Sequence, residues 1–192
     1  HPHYLSTRFA ESLGVPVVRV QHHEAHARAC LAENRIERGL AVVFDGVGFG
    51  TDGAAWGGEI FSIDRAAVRR EAHLGYMPMP GGDACVTHPL RLAAAVLAPR
   101  GIILPGMEDV LALCARGVNM ARTSGMGRLF DAAAAILGIC TRQTYEGQGP
   151  MLLEAAAGPA TGPTAGDHGV TSLDPGAILE ALFRDGDATA VR

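Results

Sequence analysis

The alternation of apolar and polar positions changes rhythm along this chain. "VPVVRV", Val15 to Val20, reads as a short buried strand, and His23 to Glu33 as an Ala-rich helix with Ala25, Ala29 and Ala32 on one side. "GLAVVFDG" is an apolar strand ending at Asp45, "GVGFGTDG" a glycine-dense turn, and "AAWGGEIFSID" a strand pairing back as a hairpin. "AVRREAHLGYMPM" continues as a third strand. From Pro89 the period becomes helical. "PLRLAAAVLA" opens with Pro at a helix start, and "MEDVLALCARG" is closed by Gly117. "MGRLFDAAAAILGI" and "GPMLLEAAAG" are further helices, "GPATGPTAGDHG" a loop, and "DPGAILEALFRDG" a last helix. No internal repeat is visible. The order predicts an α/β domain, a mixed sheet with a covering helix, divided into a β-rich part over residues 1–80 and an α-rich part over 81–192.

Composition narrows the classes of function. Apolar residues at 48% against 19% charged support a packed core. A net charge of −4 without any basic block argues against a nucleic-acid groove and a polybasic membrane surface. The longest apolar run, "LRLAAAVLA", is too short to span a bilayer and contains Arg91, and no secretory pattern opens the chain. Cys30, Cys85, Cys114 and Cys140 form no CxxC and lie in Ala/Leu- or Gly-rich settings. They read as small buried thiols in a reducing compartment, hence a cytoplasmic protein. The opening at His1 and the close at Arg192 inside a helical pattern read as a fragment.

Three stretches carry candidate chemistry. In "VQHHEAHARAC", His22 and His26 are four apart, so a helix puts both imidazoles on one face, where one divalent ion can accept a nitrogen from each. His23 and Glu24 point elsewhere, at about 100° and 200° around the axis. The alternative is a polar helix start in solvent. In "FDGVGFGTDG", Asp45 ends a strand, Gly46, Gly48 and Gly50 clear side chains away, and Asp52 adds a second carboxylate. Such a turn admits a phosphate or metal, or is an ordinary hairpin loop. The "PMPGGDA" turn (Gly81, Gly82, Asp83) and "TSGMGRLFDA" (Ser124, Gly125, Gly127, Arg128) precede helices, and free amides beside Arg128 suit a phosphate or nucleotide. Gly and Ser also start helices without any ligand. "YEGQGPM" adds Glu146 and Gln148, while His73, His88 and His168 read as surface residues.

Together "HPHYLSTRFA", "VQHHEAHARACLAEN", "FDGVGFGTDGAAWGGEIF", "AHLGYMPMPGGDA" and "MGRLFDAAAAILGI…YEGQGPMLLEAAA" resemble, in order and phase, the C-terminal Kae-type domain of the HypF carbamoyltransferase family. The resemblance runs from His1 to Gly158. It implies part of an actin-like ATPase (ASKHA) fold. It implies that other HypF domains make carbamoyl-adenylate from carbamoyl phosphate and ATP. This domain would then pass the carbamoyl group to the C-terminal cysteine of a HypE partner, for the cyanide ligands of [NiFe] hydrogenases. It further implies a divalent metal, iron or zinc, on His22, His26 and Asp45, with Asp45 and Arg128 catalytic. Nucleotide contacts would fall to Gly46, Gly48, Asp52, Gly81, Gly82, Asp83, Ser124, Gly127 and Asp131.

Three departures stand out. Glu24 replaces a histidine of the family pattern, and "TSG" replaces its paired serines, so Gly125 lacks a hydroxyl. The family's later SGG-type turn and final DGG aspartate lie beyond Arg192, and its upstream strands and its acylphosphatase, zinc-finger and YrdC-like domains are absent. The expectation is weak metal binding and little turnover by this chain alone. The alternatives are an O-carbamoyltransferase or tRNA threonylcarbamoyl-adenosine relative of the same fold, or a noncatalytic docking domain. Convergence of His22, His26 and Asp45 is what a docking domain would not need.

Overall fold

The computed structural model describes residues 1–158 and 174–185. Most of the expected "GPATGPTAGDHG" loop, with His168, therefore lies outside the described residues. The sheet contains β1 (Arg38–Phe49), β2 (Ala55–Asp64), β3 (Ala67–His73), β4 (Met77–Pro80) and β5 (Met120–Thr123). β1 takes one edge of β2 antiparallel, from Arg38↔Asp64 to Phe49↔Ala55. The other edge of β2 is shared: β3 pairs antiparallel with Glu59–Asp64, and β5 joins in parallel at Ala55↔Thr123. β4 closes the order β1-β2-β5-β4, antiparallel to β5.

Around this sheet run α1 (Leu5–Ser12), α2 (His22–Glu33), α3 (Ala84–Thr87), α4 (Leu90–Leu97), α5 (Glu108–Arg116), α6 (Met126–Ile136), α7 (Gln148–Ala157) and α8 (Pro175–Asp185). The helix ends follow their local chemistry. Gln21 caps α2 by accepting the Glu24 amide at 3.0 Å, and Gly117, at φ 63°, ends α5 in the left-handed region. The larger core packs α4 and α6 against β4 and α8 through Leu74, Met77, Leu92, Leu97, Leu129 and Leu179. Ala93, Ala94, Ala132 and Ala133 contribute no bulk there, so helix and sheet approach closely. A second cluster, Ala27, Val43, Trp56, Phe61 and Ile63, seats α2 on the β1–β2 hairpin.

Four sequence expectations change. Val15–Val20 forms no strand and has no ladder partner among the described residues, and Val15, Val17, Val18 and Val20 are all exposed. β1 does not end at Asp45 but continues through the glycines to Phe49, with a register shift between Phe44 and Gly48. The third strand splits into β3 and β4, and β5, with half-polar "MART", was not foreseen. Finally Cys30 is exposed and Cys114 half-buried, so only Cys85 and Cys140 are buried thiols; none of the four is bonded to another.

Candidate metal and nucleotide site

The register shift in β1 is the centre of the site. Phe44 faces Gly58 and Gly48 faces Trp56, so Asp45, Gly46 and Val47 stand opposite the single residue Gly57. Such a bulge bends the strand and re-aims a side chain. Here it turns Asp45 toward the start of α2. Asp45 Oδ1 accepts its neighbour's Gly46 amide at 2.7 Å, and Oδ2 lies 2.9 Å from His22 Nε2 and 3.5 Å from His23 Nε2. His26 Nε2 in turn lies 3.2 Å from His22 Nε2. A Cβ on Gly48 would stand 2.5 Å from both His22 Cδ2 and His23 Cε1, so this glycine makes room for the imidazoles. His22 and His26 are exposed, whereas His23 is fully buried. Burial, outweighing the attraction of Asp45, keeps the His23 imidazole below its ordinary pKa.

On its other side the bulge meets the start of α6. A Cβ on Gly125 would lie 2.5 Å from the Gly46 carbonyl oxygen, and one on Gly127 2.9 Å from Gly46 Cα. Gly57 and Gly58 are equally confined, by the Asp45 carbonyl at 2.5 Å and the Ser124 carbonyl at 2.6 Å. These glycines therefore serve backbone-to-backbone contact, and Gly125 answers the missing serine: the bulge occupies the space a side chain would need. Beside Gly46 stand the Arg128 guanidinium and the Glu146 carboxylate, 3.7 and 3.2 Å from where its Cβ would be. Arg128 and Asp131, one helical turn apart and each about 2% exposed, approach to 2.8 Å. The pair makes no hydrogen bond, and Arg128 Nε and Nη1 and both Asp131 oxygens have no partner among the described residues. Burial raises the Asp131 pKa, against the pull of Arg128.

The remaining candidates separate. Gly81 and Gly82, at φ 85° and 58°, turn the chain beyond Pro80, which pairs with Met120, three residues along β5 from Thr123. That places the Gly81–Gly82–Asp83 turn roughly 10 Å or more from the Thr123 end of the sheet, at 3.3 Å per residue. Ser124 is buried, and its hydroxyl donates to Glu59 at 2.6 Å. Asp52 sits in the hairpin turn and accepts from Trp56 Nε1 at 2.9 Å, from the Ala54 amide and from the Tyr76 hydroxyl. Glu24 neither faces the histidines nor stays free. It pairs with Arg28 at 2.7 Å, whose guanidinium donates to the Arg65 and Ala66 carbonyls and so ties α2 to the β2–β3 turn. His73, expected at the surface, is half-buried, with Nδ1 2.7 Å from the Leu74 carbonyl.

Sequence reasoning missed the network that supports Ser124. Glu59, with no exposed surface, accepts the Gly57 and Gly58 amides at 3.0 and 3.1 Å, the Ser124 hydroxyl, and Arg70 at 2.5 Å. Arg70 lies 3.7 Å over the Trp56 ring and donates to Tyr76. The available signal was phase: Glu59 shares the inward face of β2 with Phe61 and Ile63, and a charge there requires a buried partner. Desolvation raises the Glu59 pKa, but the donors from Ser124, Gly57, Gly58 and Arg70 prevail and lower it.

Asp52 behaves similarly. Desolvation works against ionisation, yet Tyr76, Ala54 and Trp56 bring its pKa from 3.8 to about 2. The folded chain then binds fewer protons than the unfolded chain in that window, so Asp52 stabilises the fold above 3.8 and this is lost as pH falls toward 2. Urea unfolding at several pH values is expected to show Asp52→Asn with a flatter acid limb than the unaltered chain.

Comparisons with known proteins agree with this fold. The family described as "Carbamoyltransferase, Kae1-like Domain, second subdomain" matches residues 41–191, and the "HypF Kae1-like domain" family matches residues 1–33. The chain belongs to the HypF carbamoyltransferase family. Carbamoyltransferase HypF2 of Cupriavidus necator is 44% identical over 171 residues, 82% of this chain and 21% of that protein. Carbamoyltransferase HypF of Rhodobacter capsulatus is 40% identical over 200 residues, 95% of this chain and 27% of that one. The T. kodakarensis HypF crystal structure superposes with a TM-score of 0.79 at 30% identity, covering 99% of this chain and 29% of that chain. Full-length HypF in its phosphate- and nucleotide-bound form gives 0.72 at 36% identity, covering 79% and 22%. HypF membership assigns the mixed sheet and helices to part of an ASKHA-type fold. The chain spans between 21% and 29% of these relatives. Among the described residues, no helix is long and apolar enough to cross a membrane.

Proposed function

We propose that this chain supplies the metal- and nucleotide-facing part of a cytoplasmic carbamoyl-transfer site. The group would pass from carbamoyl-adenylate, delivered by the remaining HypF domains, to the C-terminal cysteine of a HypE-type partner in [NiFe]-hydrogenase maturation. The observation that carries this reading is the β1 bulge. One short backbone segment presents Asp45 to the imidazoles of His22 and His23 and places Gly46 against Arg128.

Among the described residues, His22, His23 and Asp45 bring donor atoms within 4.8 Å of one another, and His26 joins them through His22; this N/O donor chemistry suits a divalent ion, iron or zinc. His22 Nε2 lies 3.2 Å from His26 Nε2 and 2.9 Å from Asp45 Oδ2. Donor atoms around a tetrahedral ion with bonds of about 2.0–2.1 Å stand roughly 3.3 Å apart. Such an ion would neutralise phosphate charge and polarise the carbamoyl carbonyl. In the transfer the thiol sulfur bonds to the carbamoyl carbon, the bond from that carbon to the adenylate oxygen breaks, AMP leaves, and the thiol proton passes to a base. Asp45, His22 and His26 would hold the ion. Arg128, with two nitrogens unsatisfied by the described residues, offers a buried cation to the leaving phosphate. Gly46, Gly48 and Gly127 let backbone and nucleotide approach, Asp131 orients Arg128, and Ser124 holds the α6 start through Glu59. Asp52 and the Gly81–Gly82–Asp83 turn would border the nucleotide more distantly.

Elemental analysis and titration calorimetry test this directly. The chain is expected to bind iron or zinc near one equivalent and ATP in its presence, while the His22→Ala/His26→Ala variant loses the metal. A chain that binds neither metal nor nucleotide overturns the reading.

A further inference from the structure

His23 is the one histidine of the α2 start whose ring is sealed from solvent, and among the described residues its Nε2 has no hydrogen-bond partner. That atom lies 3.5 Å from Asp45 Oδ2. Its other nitrogen, Nδ1, lies 3.0 Å from the Gln21 side-chain nitrogen. The Gln21 amide has only one possible orientation. Its oxygen must receive the Glu24 backbone N–H at 3.0 Å, and its nitrogen must donate to the Phe49 carbonyl at 3.1 Å. The second proton of the Gln21 NH2 group is therefore aimed at His23 Nδ1, which has to be the bare nitrogen. The proton of the uncharged ring then resides on Nε2, facing Asp45.

We infer that His23 is a positioning residue for Asp45. Gln21 fixes the imidazole as its Nε2–H tautomer, and that N–H dipole, 3.5 Å from Oδ2, attracts the carboxylate on the side where it meets His22. The inference rests on the proposal that Asp45 is a metal ligand, and it deepens it. Although its Nε2 lies within 4.8 Å of the His22 and Asp45 donor atoms, His23 with its proton on that nitrogen would be neither a ligand nor a packing residue. The same glutamine both caps α2 and selects the tautomer, so helix start and carboxylate orientation are set together. Polar partners of ligating carboxylates control metal affinity in this way.

Long-range proton–nitrogen NMR correlation of the histidine-labelled chain reads each tautomer. It would be recorded before and after zinc ion is added, beside Gln21→Glu. That variant keeps an oxygen for the Glu24 amide but presents an acceptor to Nδ1. In the unaltered chain His23 is expected to show a protonated Nε2 and a bare Nδ1 throughout, with zinc shifting only His22 and His26. In Gln21→Glu the proton is expected to move to Nδ1, and zinc affinity to fall about tenfold or more. A bare Nε2 in the unaltered chain, a His23 Nε2 that moves to a metal-bound resonance, or unchanged affinity in Gln21→Glu each overturn the inference. Should the unaltered chain bind no zinc, the metal reading fails by itself, and the tautomer and its switch in Gln21→Glu still decide whether Gln21 sets His23.

Discussion

Glu59→Ala is expected to lower the unfolding free energy by about 3–5 kcal/mol, the range for breaking a buried ion pair by removing one partner. The carboxylate has no exposed surface and receives four donors from three chain segments: Gly57 and Gly58 in β2, Ser124 before α6, and Arg70 in β3. Its removal orphans two amides and a hydroxyl in the interior and leaves a guanidinium against Trp56 without its anion. Glu59→Gln keeps one acceptor oxygen and should cost less. The pH dependence separates the two contributions. The folded pKa of Glu59 is below 4.5, so its stabilisation is complete above that value and is lost as pH falls through the folded pKa. Urea unfolding at neutral pH and near pH 4 measures both. A neutral-pH loss of under about 1 kcal/mol for Glu59→Ala, the scale of a single ordinary hydrogen bond, would show that the network is not a structural anchor.

Arg128→Met is expected to cost a similar about 3–5 kcal/mol at neutral pH, for the mirror reason: Asp131, 1% exposed, is left as an uncompensated buried charge. The Asp131 pKa is already raised by burial, so here the sign reverses. The folded state binds more protons than the unfolded one above the ordinary value of 3.8, and stability falls as pH rises through that window. Without Arg128 this slope should steepen, and acidification should recover part of the loss. Arg128→Met/Asp131→Leu should be more stable than Arg128→Met alone, because an apolar pair of similar volume carries no desolvation penalty. Chemical denaturation of the three proteins between pH 4 and 8 decides this. A double variant less stable than the unaltered chain would make the Arg128–Asp131 pair a net stabiliser and not a retained cost.

How much of this was legible in the sequence differs by element. The helices from Leu90 onward were readable because period and caps agree locally: Gly117 stops α5 in the left-handed region, and alanine marks the buried faces of α4 and α6. The β1–β2 hairpin was readable from its apolar runs. Val15–Val20 has the same strand composition but no partner among the described residues, since β-propensity describes a side chain's fit to a sheet and does not supply one. β5 was invisible for the opposite reason: "MART" carries little apolar signal, and its role is fixed by its β4 ladder and one parallel pair at Ala55. At the site, spacing put His22 and His26 on one face, and their rings do meet, but that Asp45 reaches His22 and His23 came from the bulge, not from periodicity. The helical wheel also turned His23 away from that face, and it could not register that a bulged strand curls back to meet it. The glycines of "FDGVGFG" and "SGMG" looked like room for a ligand; much of that room is filled by backbone.

That filling has a consequence for how the molecule can change. The separation between the imidazole side and the guanidinium side of the bulge is gauged by main-chain atoms in contact, Gly46 against Gly125 and Gly127, and Asp45 against Gly57. No rotamer can lengthen or shorten that gauge. The two sides are therefore expected to move together: a displacement of the first turn of α6 bears directly on the backbone of Asp45 and Gly46, and substituting the surrounding side chains alters what is held at either end more readily than the span between them.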